Sequence, residues 1–190
     1  MTNTTTSTTI PGYLAGTWDI DPVHSDVSFS VRHMMVSKVK GRFGKFSGQI
    51  VTAEDPSAST ATATIDMSSI DTNDAGRDGH IRSADFFDVE QYPTMTFTST
   101  GVSQTSDGYA LDGTLDLHGV SRPVTLAVEV NGFGPDAFGG TRAGFSASTE
   151  ISRKDFGIEF NMPLDGGGVV VGDKVHIALE IEAVLQAPKA

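Results

Sequence analysis

The five histidines, His24, His33, His80, His118 and His176, are the side chains best suited to proton transfer or metal binding near neutral pH. Zinc sites and metallohydrolases space such residues as H-x₃-H or HExxH, and neither spacing occurs here. His24-Ser25-Asp26 holds the residue types of a hydrolase triad. Adjacent residues of an extended chain point to opposite faces, so these three cannot form a relay. Ser37-x-x-Lys40 has the form of an acyl-enzyme pair but lacks its K-T-G and S-D-N companions. Asp155-Phe156-Gly157 lacks the lysine and catalytic loop that would give it a role in phosphoryl transfer. Gly166-Gly167-Gly168 and Gly172 lead into a strand-like run rather than a helix, so they are no phosphate cradle. His176, Glu180 and Glu182 share one face of the last apolar-alternating run, which is also what an ordinary wet face looks like. With no cysteine there is neither a disulfide framework nor a thiolate metal site. The expectation is a protein with no catalytic residue, no metal and no cofactor.

Charge narrows the partners. The formal net charge is -11, from 24 acidic and 13 basic residues, which argues against nucleic acid as a partner. The basic residues are uneven: Arg32, Lys38, Lys40, Arg42 and Lys45 fall in one acid-free stretch between Asp26 and Glu54. That stretch reads either as a solvated face with gatekeeping lysines or as a transient contact with an anionic membrane or lipid phosphate.

The elements that would position these groups are strands. Val27, Phe29, Val31 and His33 alternate with Ser28, Ser30 and Arg32. Val39, Gly41 and Phe43 continue one face, and then the apolar set changes parity to Phe46, Gly48 and Ile50. A one-residue slip would turn a whole face outward, so a β-bulge is predicted near Gly44-Lys45. Similar alternation covers Met95–Phe97, Tyr109–Leu117, Val124–Val130, Phe145–Ile151 and Val175–Ile181, with turns at Asp107-Gly108 and His118-Gly119. Asn131 to Gly140 reads as a Gly/Pro loop. Strands at this spacing indicate an all-β antiparallel sandwich or barrel in a single domain of residues 16–186. Residues 1–15, rich in Thr and Ser, and residues 187–190 read as tails. The N-terminus has neither the basic nor the apolar region of a secretory signal, so a soluble, cytoplasmic protein is expected.

One segment breaks the rhythm. Arg77 to Phe97 contains a charge-rich run, then Phe86-Phe87, then Tyr92-Pro93. Arg77–Ala84 is predicted as a short helix capped by Asn73 or Asp74 and laid over one end of the sheet structure. Arg77, Asp78, Arg82, Asp85 and Asp88 are expected to form a charge network pinning it to the rim, with Ile81, Phe86 and Phe87 docking inward.

The segments DPVHSDVSFSVRH (21–33), VKGRFGKFSG (39–48), RDGHIRSADFFD (77–88), YPTMTF (92–97), GTLDLHGVSRPVTL (113–126) and ISRKDFGI (151–158) together resemble the YceI-like family. The likeness runs from about residue 18 to 185, with the motifs in family order. It implies a lipocalin-like antiparallel β-barrel of about eight strands with a short helical cap. It also implies an apolar tunnel for a polyisoprenoid, quinone-type or other long-chain amphiphile, a non-enzymatic binding or transport role, and a homodimer. Parity within that frame assigns Phe29, Val31, Phe43, Phe46, Phe87, Phe97, Leu115, Leu117, Phe145 and Ile177 to the tunnel wall; His24 and His33 are expected to hydrogen-bond inside or near the barrel mouth, one of them against a polar headgroup, and His33 is counted with the ligand-binding residues. The competing expectations are a lipid-modifying enzyme using the same cavity, and a stress-response or interaction scaffold whose interior is packed solid.

Overall fold

The computed structural model describes residues 10–187. In chain order the strands and helix are β1 (Gly16–Ile20), β2 (Asp26–His33), β3 (Ser37–Phe43), β4 (Phe46–Thr52), β5 (Thr60–Asp66), β6 (Ile70–Asp71), α1 (Ala75–Arg82), β7 (Thr94–Gln104), β8 (Tyr109–Leu117), β9 (Val120–Pro135), β10 (Thr141–Ser152) and β11 (Val171–Leu185). Hydrogen bonding runs β1-β4-β5-β7-β8-β9-β10-β11 and returns from β11 to β1, a closed antiparallel barrel of eight strands. Closure removes exposed edges and makes every second residue face one interior.

Two breaks give the barrel its shape. The edge of β11 pairs with β1 at Ala183–Leu185 but with β2 from Val171 to Glu180, so the chain switches partner across Asp21–Ser25. The second break lies at Gly44-Lys45. Here β4 pairs with β1 and β5, whereas β3 pairs with β2 and the two-residue β6. Phe43 and Phe46 both face inward, and residues three apart can do so only if the strand loses its parity between them. The expected irregularity is therefore present, as a full break. Its freed backbone groups are taken by the Asp66–Ser69 turn: the Gly44 N–H donates to the Ser69 carbonyl (3.1 Å) and the Asp66 N–H to the Lys45 carbonyl (2.9 Å).

The Gly/Pro-rich stretch from Asn131 is not a loop throughout. β9 continues to Pro135, because Asn131 is accommodated as a bulge, with Gly132 opposite Gly144 and Val130 opposite Phe145. Gly132 supplies a φ of 151° there, a conformation unfavourable to L side chains.

Towards one barrel end Trp18 is fully buried with Ala143 and Ala183. Its indole N–H donates to Thr52 Oγ1 (2.8 Å), and that hydroxyl donates to the Leu14 carbonyl (2.6 Å). Residues 10–15 lie against this end rather than apart from it. The Tyr13 hydroxyl donates to the Ala53 carbonyl (2.8 Å), and its ring meets Phe133 edge-on. The tail expectations for 1–9 and 188–190 fall outside the described residues.

Arg142 ties the first break to the wall. Its guanidinium reaches Asp21 (2.8 Å), Glu182 (2.6 Å) and Asp136 (3.1 Å), joining the end of β1, β11 and the β9–β10 turn. The guanidinium, followed by His24, holds the Asp21 carboxyl far below the usual carboxylate range.

At the other end the cap is pinned, and the pinning differs from the charge network expected. α1 starts two residues earlier than predicted, at Ala75, with Asp74 as its N-cap accepting from the Arg77 N–H (2.8 Å). Asp78 is buried and accepts from both the N–H (2.9 Å) and hydroxyl (2.5 Å) of Thr72. Arg77 donates to the Thr72 hydroxyl (2.8 Å) and carbonyl (2.7 Å), and Arg82 to the carbonyls of Ser68 (2.9 Å) and Ile70 (3.0 Å). Asp85 pairs with His80 and Asp88 accepts from Gln91, so neither reaches the rim. The arginines thus grip unpaired backbone carbonyls beside β6 rather than the cap's own carboxylates. Such bonds suit a region where the sheet ladder has ended and its polar groups need partners.

Two outcomes follow. Replacing Asp78 with Ala leaves two buried Thr72 donors unpaired and should cost about 2–3 kcal/mol in urea unfolding, whereas Asp85→Ala at the exposed pair should cost at most about 0.5 kcal/mol; equal losses would contradict the assignment. Arg142→Gln should lower stability in urea unfolding above pH 5. Because the folded Asp21 pKa is depressed, its contribution is present above the unfolded value near pH 4 and fades as pH falls through the folded one. The gap between native and variant proteins should therefore narrow on acidification, with the variant's acid midpoint by circular dichroism displaced upward; a constant gap from pH 6 to pH 2 would count against it.

Candidate ligand-binding site

The barrel interior is not filled. Two chambers lie along it, of about 220 Å³ towards the Trp18 end and about 440 Å³ beneath the cap. Val27, Met95 and Ile177 line both, so the chambers abut at these three side chains. The larger is within the usual size of small-molecule sites, roughly 300–1,000 Å³.

The first chamber has no charged residue in its wall; its polar groups are hydroxyls such as those of Tyr13, Thr62, Tyr109 and Thr149. Phe46, Phe97, Leu115 and Phe145, all expected in the wall, are found there. The second chamber holds Phe29, Val31, His33, Phe43, Phe87 and Leu117, and Ile177 belongs to both. All eleven residues singled out by parity therefore face one chamber or the other.

Glycines make room for two of these rings. A Cβ on Gly41 would lie 2.5 Å from Phe29 Cζ, and one on Gly113 would overlap the Phe97 ring. Each phenylalanine is thereby laid along the wall instead of across the cavity.

The second chamber is open where its lining is solvent-exposed, at Arg32, Gly76, His80 and Met162. α1 and the following turn cover it with Arg77, His80, Ile81, Phe86 and Phe87. A cluster of three rings joins this cover to the segment before β11: His80, Phe86 and Phe160 stand edge-to-face with centroids 5.1–5.2 Å apart. The His80 imidazole is oriented by the Asp85 carboxylate at 2.7 Å. The charged or ionisable groups lining this chamber, Arg32, His33, Arg77, His80 and Arg153, include no carboxylate.

Arg153 is the residue that sequence reasoning passed over. It is 5% exposed, and its guanidinium donates to the carbonyls of Gly172 (2.9 Å), Ile158 (2.9 Å), Phe160 (2.9 Å) and Val171 (3.3 Å). Burial pulls its pKa down, partly offset by Asp173, but four carbonyl dipoles solvate the charge. One arginine thus organises the irregular 153–171 segment that forms one side of the opening. A signal existed: Ile151 faces inward, and period two carries Arg153 to the same face.

The histidines do not converge. His24 pairs with Asp21 (2.8 Å), His118 faces the Phe156 carbonyl (3.0 Å) and His176 meets Glu150 (3.2 Å). Ser25 exchanges hydrogen bonds with the Glu182 backbone rather than with His24. Ser37 and Lys40, three residues apart in the regular ladder of β3, lie on opposite faces. Among the described residues, one group of metal-ligating atoms comes within 4.8 Å: those of Asp21, His24 and Glu182. The Arg142 guanidinium already bridges both of its carboxylates, which disfavours a second cation.

Known proteins agree with this architecture. The model of the YceI-like domain matches residues 18–183. Protein YceI of Salmonella newport is 40% identical over 169 residues, covering 88% of this chain and 85% of that one. The crystal structure of Burkholderia cenocepacia BcnA superposes with a TM-score of 0.74 at 27% identity, covering 86% of this chain and 98% of the other. A Saccharophagus degradans domain described as polyisoprenoid-binding superposes with a TM-score of 0.69 over 92% of this chain and all of its own; at 20% identity that likeness speaks for the fold alone. The closed eight-stranded barrel and the extent of the match agree: this chain belongs to the YceI-like domain family.

Proposed function

We propose that the barrel binds and carries one long-chain amphiphile, an isoprenoid lipid or quinone, with its tail passing from the second chamber into the first. The observation that carries this reading is the pair of apolar chambers abutting at Val27, Met95 and Ile177. Each CH₂ withdrawn from water contributes roughly 0.8 kcal/mol, so a tail that spans both chambers gains affinity with every carbon. The uncharged first chamber suits the tail end. The second, with its cationic and imidazole groups near the opening, suits a polar head. The description of the Saccharophagus degradans domain as polyisoprenoid-binding is consistent with this class of ligand. The voids favour carriage over a packed scaffold. A catalytic reading has less support: no hydroxyl in either wall is hydrogen-bonded to a histidine among the described residues.

Protein purified without detergent and extracted into organic solvent should release a prenyl-type lipid in near-stoichiometric amount by mass spectrometry; repeated extraction of protein with no amphiphile would overturn the reading. Chain-length selectivity offers a second check. Ala147→Phe fills part of the first chamber. Excluding about four carbons at roughly 0.8 kcal/mol each should weaken long tails on the order of 100-fold while leaving short ones unchanged. Equal loss for both lengths in a fluorescence displacement assay would show that the tail does not reach this chamber.

A further inference from the structure

We propose that the β2–β3 hairpin tip is a docking element for an anionic lipid bilayer, placed so that the second chamber opens against the membrane. This rests on the carrier reading above and adds where the lipid is exchanged.

The tip is built against local preference. The Val36 N–H donates to the His33 carbonyl (3.2 Å), closing a two-residue turn whose central residues, Met34 and Met35, both have positive φ (49° and 61°). A hairpin turn of this kind favours Asn-Gly, because side chains beyond Asn and Gly are strained there. Here it presents methionines instead, 45% and 56% exposed, followed by Val36 at 83%. The tip stands on the segment before β11: the Met34 N–H donates to the Val170 carbonyl (2.8 Å), and Met35 packs close to Gly168. Met162, 51% exposed, comes from that same segment and lines the second chamber. Four exposed apolar side chains, three of them flexible methionines, therefore lie beside one opening.

Charge specifies the partner. Arg32 and Lys38 are directly opposite each other in the β2–β3 ladder, with Lys40 opposite Ser30. Like charges placed opposite each other across strands are destabilising. All three are exposed, and among the described residues none has an ion pair. Of the carboxylates on these strands and their neighbours, Asp71 is paired with Arg42 and Glu150 with Lys174 and His176, while Asp26 and Glu180 lie opposite each other at the far end of β2 from the tip. The segment 157–170 before β11 carries two exposed acidic residues, Glu159 and Asp165. On a chain of net charge -11, this basic, apolar-tipped hairpin is the feature complementary to an anionic interface.

The test uses the full chain and a variant that should be more stable, so that lost binding cannot be put down to unfolding. Met34→Asn with Met35→Gly relieves the turn and should raise the melting temperature by about 2–4 °C. The native protein should co-sediment with phosphatidylcholine vesicles containing phosphatidylglycerol, and bind pure phosphatidylcholine at least tenfold more weakly. The Asn-Gly variant, and separately Lys38→Glu with Lys40→Glu, should each lose about tenfold of the anionic-vesicle binding. Uptake of a prenyl probe delivered from detergent should stay unchanged in both, which separates failure of docking from failure of the carrier reading. Equal binding to neutral and anionic vesicles would overturn the proposal, as would no binding by the native protein. Concentration-dependent self-association abolished by the Asn-Gly variant, without vesicle binding, would overturn it in favour of an interface between copies.

Discussion

Phe43 and Phe46 cannot both face the interior of one unbroken strand, and the rest of the fold depends on how that conflict is resolved. The chain breaks at Gly44-Lys45, the two halves take different partners, and the wall between β3 and β5 parts at one end only. The gap is what the cap covers. The same break leaves backbone carbonyls near β6 without ladder partners, and Arg77 and Arg82 grip them. The chamber, its cover and the cover's attachment thus have a common origin in one parity change. The break at Asp21–Ser25 is the counterpart on the facing strand, stapled by Arg142.

A barrel with an empty apolar interior forgoes the dispersion contacts that a packed core would give. The fold concentrates its tight packing elsewhere. Trp18 is wholly buried towards one end, and Met67, Ile70, Phe156 and Ile158 are almost wholly buried around the other. Buried polar groups in these regions find partners: Thr52 for Trp18, Thr72 for Asp78, and four carbonyls for Arg153. A ligand that fills such a void adds stability by mass action.

Strand alternation made much of this legible. The inward sets on β2, β3, β8 and β11 follow from period two alone, and the position of the parity change could be read from Phe43 and Phe46. Two features escaped for definite reasons. Asn131–Pro135 has loop composition, yet a bulge lets it remain in β9, and composition does not distinguish a bulge from a turn. The cap's charged residues suggested a network among themselves, but its arginines bind main-chain carbonyls and Asp78 the Thr72 N–H and hydroxyl, and such backbone partners have no sequence signature. Arg153 belongs to the same class: its partners are four carbonyls of the segment it organises. Ile10 and Tyr13 line the first chamber, and the Thr-rich stretch around them hid this in the sequence.

The central claim is that the two chambers serve as one channel for a single tail. Methyl-resolved NMR during titration with a long-chain prenol tests it most directly. The account predicts simultaneous, saturable shifts at Val27, Met95 and Ile177, where the chambers abut, together with Val31 in the second chamber and Leu115 in the first. Shifts confined to one chamber, or to the outer surface, with the three shared residues unmoved, would contradict it.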